Sequence, residues 1–294
     1  MVSPVLILAI GLGTAFALGL LPQARKSFLF LITLGALGLM SAISLAWVMA
    51  LATGTATTAD IHTAGALPPF AINLRVGLAE AGLLATITLS GLLGAISMRE
   101  PLLRLGRGGM AVLLVLVMAI AGMVMTRDLF NLFVFIELIA ISTAGLVLLS
   151  KDERAVAAGF KYLVVSQIIA VLLLVGIIFT YHATGSLNID DIIATPVAFH
   201  GAALAIFLLL IALIVELKPF PANGWALDIY TAAHPGFSAI FSAATGSAAL
   251  FVFDKVVAPA GTAWLPLLTG IGILSVVASN IVALRQEIDR GLRG

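Results

Sequence analysis

The sequence predicts an all-α polytopic membrane protein, and three observations carry that prediction. Of its 294 residues 62% are hydrophobic and only 10% charged, whereas soluble domains average about 25% charged residues; mean hydropathy is +1.20. The apolar residues fall in long runs parted by short polar stretches, most of them able to cross the roughly 30 Å hydrocarbon core as helices. The basic residues gather in alternate connections, as loops on one side of a membrane do.

Nine candidate spans follow: Pro4 to Leu21, Phe28 to Ala52, Val76 to Met98, Met110 to Thr126, Leu129 to Leu149, Phe160 to Tyr181, Phe199 to Leu217, Ile229 to Phe253 and Trp264 to Leu284. The first has no basic region ahead of it and is followed by Arg25 and Lys26, so it reads as an uncleaved span and not a secretory signal. One set of connections holds Arg25, Lys26, Arg99, Arg104, Arg107, Lys151, Arg154, Lys161, Lys218, Arg285, Arg290 and Arg293, and the other only Arg75, Arg127 and Lys255. That asymmetry predicts an outside amino terminus and a cytoplasmic carboxyl terminus, and it requires an odd number of spans.

Among the connections, Thr53 to Arg75 is the longest and ends in the stiff segment Leu67-Pro68-Pro69-Phe70. The basic stretch Arg99 to Gly109 suits anionic lipid headgroups. In the loop His182 to Pro196, Asp190 and Asp191 are accounted for by solvation, although adjacent acids can also hold a cation.

The composition excludes several functions. A net charge of +1 with scattered basic residues gives no nucleic-acid face. Without cysteine there are no disulfides or thiolate-bound metals, and His62, His182, His200 and His234 show no ligand spacing. No nucleophile with an activating base, phosphate loop or cofactor motif is present, so no catalytic chemistry and no cofactor are expected of the chain itself.

The chemistry therefore rests on charges inside the spans. Glu137 lies well within the fifth span, where an acid costs roughly 2.5–3.5 kcal/mol and normally faces protein or a wet cavity. Ala140, Ile141 and Ala144 share its side of the helix, and small side chains let a neighbouring helix cover the carboxylate. A carboxylate so placed can load and release protons. Lys161 opens the sixth span, as a charge partner or as a lysine that snorkels to the interface; deeper in that helix, Gln167 is placed for an interhelical hydrogen bond. The seventh span ends in Glu216-Leu217-Lys218-Pro219-Phe220-Pro221, where two prolines break the helix. Unwinding would let Lys218 turn back towards Glu216. The break is either an ion site of the kind transporters place on interrupted helices or the plain cytoplasmic end of a span.

Taken in order, these residues resemble a known family, the antiporter-like membrane subunits of multisubunit monovalent cation/proton antiporters, NADH-quinone oxidoreductase and membrane-bound hydrogenases. The resemblance runs through Thr126-Arg127-Asp128-Leu129-Phe130-Asn131 on to Glu137, with further matches at Pro68-Pro69-Phe70, Phe160-Lys161-Tyr162, Tyr181 to Asn188, Trp225 with Asp228 and Tyr230, Ser238-Ala239, and Ala283 to Gln286. It implies three amino-terminal helices (1–98), one five-helix antiporter-type repeat with a broken seventh helix (99–254), and a ninth helix with a short cytoplasmic tail (255–294). It further implies a cell-membrane location, proton or monovalent-cation transport with Glu137 and Lys161 carried over from the family, to which the broken helix adds Glu216 and Lys218 as candidates, and partners that are other membrane subunits, among them another antiporter-like chain. A member of ordinary length would continue beyond the ninth helix with the second half of the path. In this chain Glu216 and Ser247 stand where the family places lysines, Asn223 where it usually has histidine, and Gly77, with Glu80 nearby, at an expected acid.

Overall fold

The computed structural model describes residues 2–21, 24–65, 71–148, 153–194, 202–258 and 262–291. The segment Leu67-Pro68-Pro69-Phe70, Lys151, Pro196, His200 and Arg293 lie outside the described residues. The helices are α1 (Leu6–Gly19), α2 (Lys26–Ala52), α3 (Leu78–Ser97), α4 (Arg99–Leu105), α5 (Arg107–Met125), α6 (Leu129–Leu148), α7 (Glu153–Thr184), α8 (Ile189–Ala194), α9 (Ala203–Glu216), α10 (Gly224–Ala232), α11 (Pro235–Val257) and α12 (Leu265–Gly291). Seven of them, α2, α3, α5, α6, α7, α11 and the α12 region, are long and apolar enough to cross a membrane, and α1 and α9 are shorter apolar helices. The chain is a multi-pass membrane protein.

Helix α5 is apolar on every side, and a helix of that kind has to be buried all round. It is the centre of the bundle, in contact with α1, α3, α6 and α11, while α2 packs on α3 and α7 packs between α6 and α9. Missing side chains permit the close approach. A Cβ on Gly122 of α5 would stand 2.3 Å from the Phe135 ring of α6, and one on Gly94 of α3 would stand 2.4 Å from Ile240 of α11. Gly122→Leu is therefore expected to force α5 and α6 apart and to destabilise the bundle by about 3 kcal/mol, the upper part of the range for overpacking. Thermal unfolding in detergent micelles measures this, and an unchanged midpoint would contradict it.

One element departs from the all-α expectation. Residues Ala59–His62 (β1) and Asn73–Val76 (β2) pair antiparallel, with Asp60 opposite Arg75, inside what the sequence offered only as a polar connection. At the same end, isolated bridges join Leu74 to Thr126 and Asp128 to Asn188. The opposite end carries Lys26, Arg99, Arg104 and Arg107 around α4. We call these the hairpin end and the basic end.

Helix α12 stands apart. Its described side chains are exposed or half-exposed along the whole apolar length, and it makes no substantial packing contact with the bundle.

Candidate functional site

Tyr162 of α7 lies at the heart of the buried polar residues. It is 1% exposed, its ring packs on Trp225 at 5.4 Å and on Phe241 at 5.9 Å between centroids, and it lies within electrostatic reach of both Glu216 and Glu137. The hydroxyls of Thr143 and Ser166 neighbour it. The Trp225 indole N–H and the Thr245 hydroxyl are buried without a regular hydrogen-bond partner among the described residues. Buried polar atoms are nearly always satisfied, so such groups have room for a bridging water.

On one side of Tyr162, Glu137 of α6 accepts a hydrogen bond from Gln167 of α7, with Nε2 to Oε2 at 3.1 Å. Gln167 thus makes the interhelical bond expected of it. Lys161, which the sequence offered as a charge partner or a snorkelling lysine, is ion-paired with Asp228 of α10 and not with Glu137. Asp228 moves from a motif match to a working partner.

On the other side lies the break. Helix α9 stops at Glu216 and α10 begins at Gly224. The boundary expected at Ile229 is therefore displaced, because Ile229 belongs to α10 and the next long helix starts at Pro235. Both halves pack against α7, so the interruption sits beside the middle of a long helix and is not a loose end. Lys218 has φ +60°, a left-handed conformation that costs an L-residue about 1–2 kcal/mol. The turn aims its ammonium over Phe241 at 4.6 Å and Trp225 at 5.6 Å from the ring centroids, where ring faces attract a cation. Glu216 is buried, 8% exposed, and is the electrostatic neighbour of Lys218 without direct ion contact. A cavity of about 290 Å³ opens here, lined by Glu216, Lys218, Asn223, Tyr230, Ser242 and Gly246.

The far wall of that cavity is the π-turn Phe241–Gly246 inside α11; such turns recur at functional sites because they re-aim side chains. Phe241 was invisible as a site residue in the sequence, since it comes from a different helix and only the fold sets it against Lys218. Ser247 turns its hydroxyl onto its own helix, donating to the Ala243 and Ala244 carbonyls at 2.5 and 3.2 Å. Glu80 accepts the Gly77 N–H at 3.1 Å and so caps the start of α3.

The hairpin end is locked by charge. Asp190 of α8 receives both Arg127 and Arg75, the latter at 3.2 Å, and Arg75 also holds Asp60 at 2.7 Å. Solvation alone, the role expected of Asp190, does not describe it. Asn188 accepts the Asp190 and Asp191 N–H groups and donates to Asn73. The first half of the family-like motif is also structural: Asp128 accepts the Asn131 N–H at 2.8 Å to cap α6, and Asn131 donates to Thr126 at 3.0 Å. Lys255, expected in a connection, is buried in the last turn of α11 and donates to the Val124 and Thr126 carbonyls that close α5.

Burial opposes ionisation of Asp190, but Arg127 and Arg75 outweigh it and hold the carboxyl below its ordinary range. A carboxylate lowered by folding stabilises above its unfolded pKa, about 3.9, and loses that contribution as pH falls through the lower folded value. Asp190→Asn is accordingly expected to cost about 2 kcal/mol at pH 7 by leaving Arg127 underpaired. The difference from the natural protein should shrink as pH falls below about 4. Hydrogen exchange of the hairpin at pH 7 and pH 3 checks this; a gap that persists at pH 3 would overturn it.

Comparison with known proteins agrees with this architecture. The family described as NADH:quinone oxidoreductase/Mrp antiporter, transmembrane, matches residues 126–289. NADH-quinone oxidoreductase subunit N of Rubrobacter xylanophilus is 31% identical over 189 residues, covering 59% of this chain and 38% of that protein. A probable K(+)/H(+) antiporter component of Rhizobium meliloti is 31% identical over 135 residues, covering 44% and 25%. Among solved structures, a chain of the membrane-bound sulfane sulfur reductase, an archaeal respiratory membrane complex, superposes with TM-score 0.82 at 29% identity over 90% of this chain and 55% of its own length. The chain thus spans well under half the length of these two curated relatives. With the match extending over more than half of its residues, the chain belongs to the NADH:quinone oxidoreductase/Mrp antiporter transmembrane family.

Proposed function

We propose that the chain contributes a proton or monovalent-cation half-channel to a multisubunit ion-translocating complex of the cell membrane, with Glu137 as its central carrier. The observation that supports this is the line of polar side chains from the half-exposed Glu137, which no described neighbouring helix covers as the small residues on its face led one to expect, past the buried Tyr162, Thr143 and Ser166 to the Glu216 and Lys218 cavity. Glu216 and Lys218 set the charge at the inner end of the strip, and the Lys161 and Asp228 pair guards the approach from the basic end. Proton transfer here needs no open pore, because hydroxyls and admitted water suffice.

In this proposal α9 and α10 form one interrupted span, which with α1 and the longer helices makes nine. The amino terminus is outside and the basic end cytoplasmic, in keeping with the charge asymmetry. Residues 99–254 form the antiporter-type repeat between flanks 1–98 and 255–294. A second antiporter-like chain covers the face on which Glu137 is half-exposed and Gln167 exposed, since a carboxylate is not left against hydrocarbon. One observation favours a second proposal, a scaffold subunit without transport: at the family's lysine positions stand Glu216 and a Ser247 whose hydroxyl is bound within its own helix. Translocation by the assembled complex carrying Glu137→Gln separates the two.

A further inference from the structure

The basic end of the bundle holds a second cavity, which the strip from Glu137 to Glu216 does not use. Its volume is about 440 Å³, within the range of small-molecule sites. Four apolar walls come from distant parts of the chain: Met98 after α3, Leu102 of α4, Leu146 in the last turn of α6 and Phe237 in the first turn of α11. Two polar side chains, Arg104 and His234, interrupt them.

Each polar group is available. Arg104 has no acidic partner among the described residues. The His234 Nδ1 accepts the Gly236 N–H at 3.1 Å as the cap of α11. A neutral imidazole that accepts through one nitrogen carries its proton on the other, so Nε2 is left as a donor. A guanidinium and an imidazole N–H at the rim of an apolar cavity call for a ligand with an anionic head and an apolar body.

The position narrows the class. Every wall lies at a helix end, and α4 is a short helix that buries Leu102 and exposes Arg99 and Arg104, the pattern of a helix lying in the membrane interface. Lys26 donates to the Arg104 carbonyl, and Arg99 and Arg107 flank the same helix with Glu100 as the acid among them. Basic pockets between spanning helices at this level attract anionic headgroups. We propose that this cavity binds one anionic phospholipid of the adjoining leaflet, its phosphate on Arg104 and the His234 Nε2–H and an acyl chain against Met98, Leu102, Leu146 and Phe237.

Native mass spectrometry of the full chain, extracted from membranes and challenged with phosphatidylglycerol or phosphatidylcholine, tests the site. One retained phosphatidylglycerol is expected in preference to phosphatidylcholine, and Arg104→Gln should weaken it roughly tenfold, the worth of one charged hydrogen bond. Arg107→Gln, an exposed charge outside the cavity, should leave retention within about twofold. Ala233→Leu, which narrows the cavity without touching a charge, should abolish retention in whatever fraction folds. Equal retention of the two lipids, equal losses in the Arg104 and Arg107 variants, or capture of a neutral quinone in place of the lipid would each overturn the proposal. None of these outcomes bears on ion translocation, so the half-channel stands or falls separately.

Discussion

Glu137→Gln is expected to reduce ion translocation by the assembled complex roughly 100-fold, the scale on which a positioned proton-transfer group acts, while leaving assembly intact. Glutamine keeps the shape of the side chain and can still pair with Gln167, so the contact between α6 and α7 survives. What it loses is the exchangeable proton. The assay is proton or sodium uptake into vesicles that hold the complex, with subunit content measured on the same preparation. Normal translocation at normal content would remove Glu137 from the path and leave the scaffold as the function. Loss of both together would indicate a packing role, and Glu137→Asp, which keeps the acid and shortens its reach, would then separate chemistry from fit.

The second large effect concerns the break. Glu216→Gln takes the nearest counter-charge from the half-buried Lys218 ammonium beside the cavity, and leaving a partly buried charged group underpaired costs about 1–3 kcal/mol. Lys218→Met removes the charge but leaves Glu216 buried alone, at similar cost. The double variant is expected to be milder than the sum of the two by about 1–3 kcal/mol, the coupling typical of interacting neighbours. Unfolding of all four proteins in one detergent supplies the cycle. Strictly additive losses would mean that Glu216 and Lys218 act independently across the cavity, each held by its own surroundings.

Much of this was legible beforehand, for a physical reason. A spanning helix must hide its backbone polar groups within itself, so a long apolar run announces it. The prolines at 219 and 221 likewise announced the interruption after Glu216, and Glu137 was conspicuous because a charge in such a run is rare. Pairings were not legible. Lys161 found Asp228, and Lys218 found Phe241, because those contacts depend on how α9, α10 and α11 turn against α7, which no local pattern encodes. The hairpin was hidden for another reason: four-residue strands are too short to show an alternation, and what holds them is Asp190, more than a hundred residues away along the chain.

The cap that Thr126, Asp128 and Asn131 build at the start of α6 bears on how such chains are traced through evolution. Those residues belong to the segment that carries the resemblance, and their side chains close the joint between two helices. A correctly started helix needs such a cap whether or not anything crosses the membrane. A descendant could therefore keep the signature long after giving up transport, and ancestry read from that segment is a record of architecture. Under the half-channel proposal, function is to be read further along, at Glu137 and at the interruption.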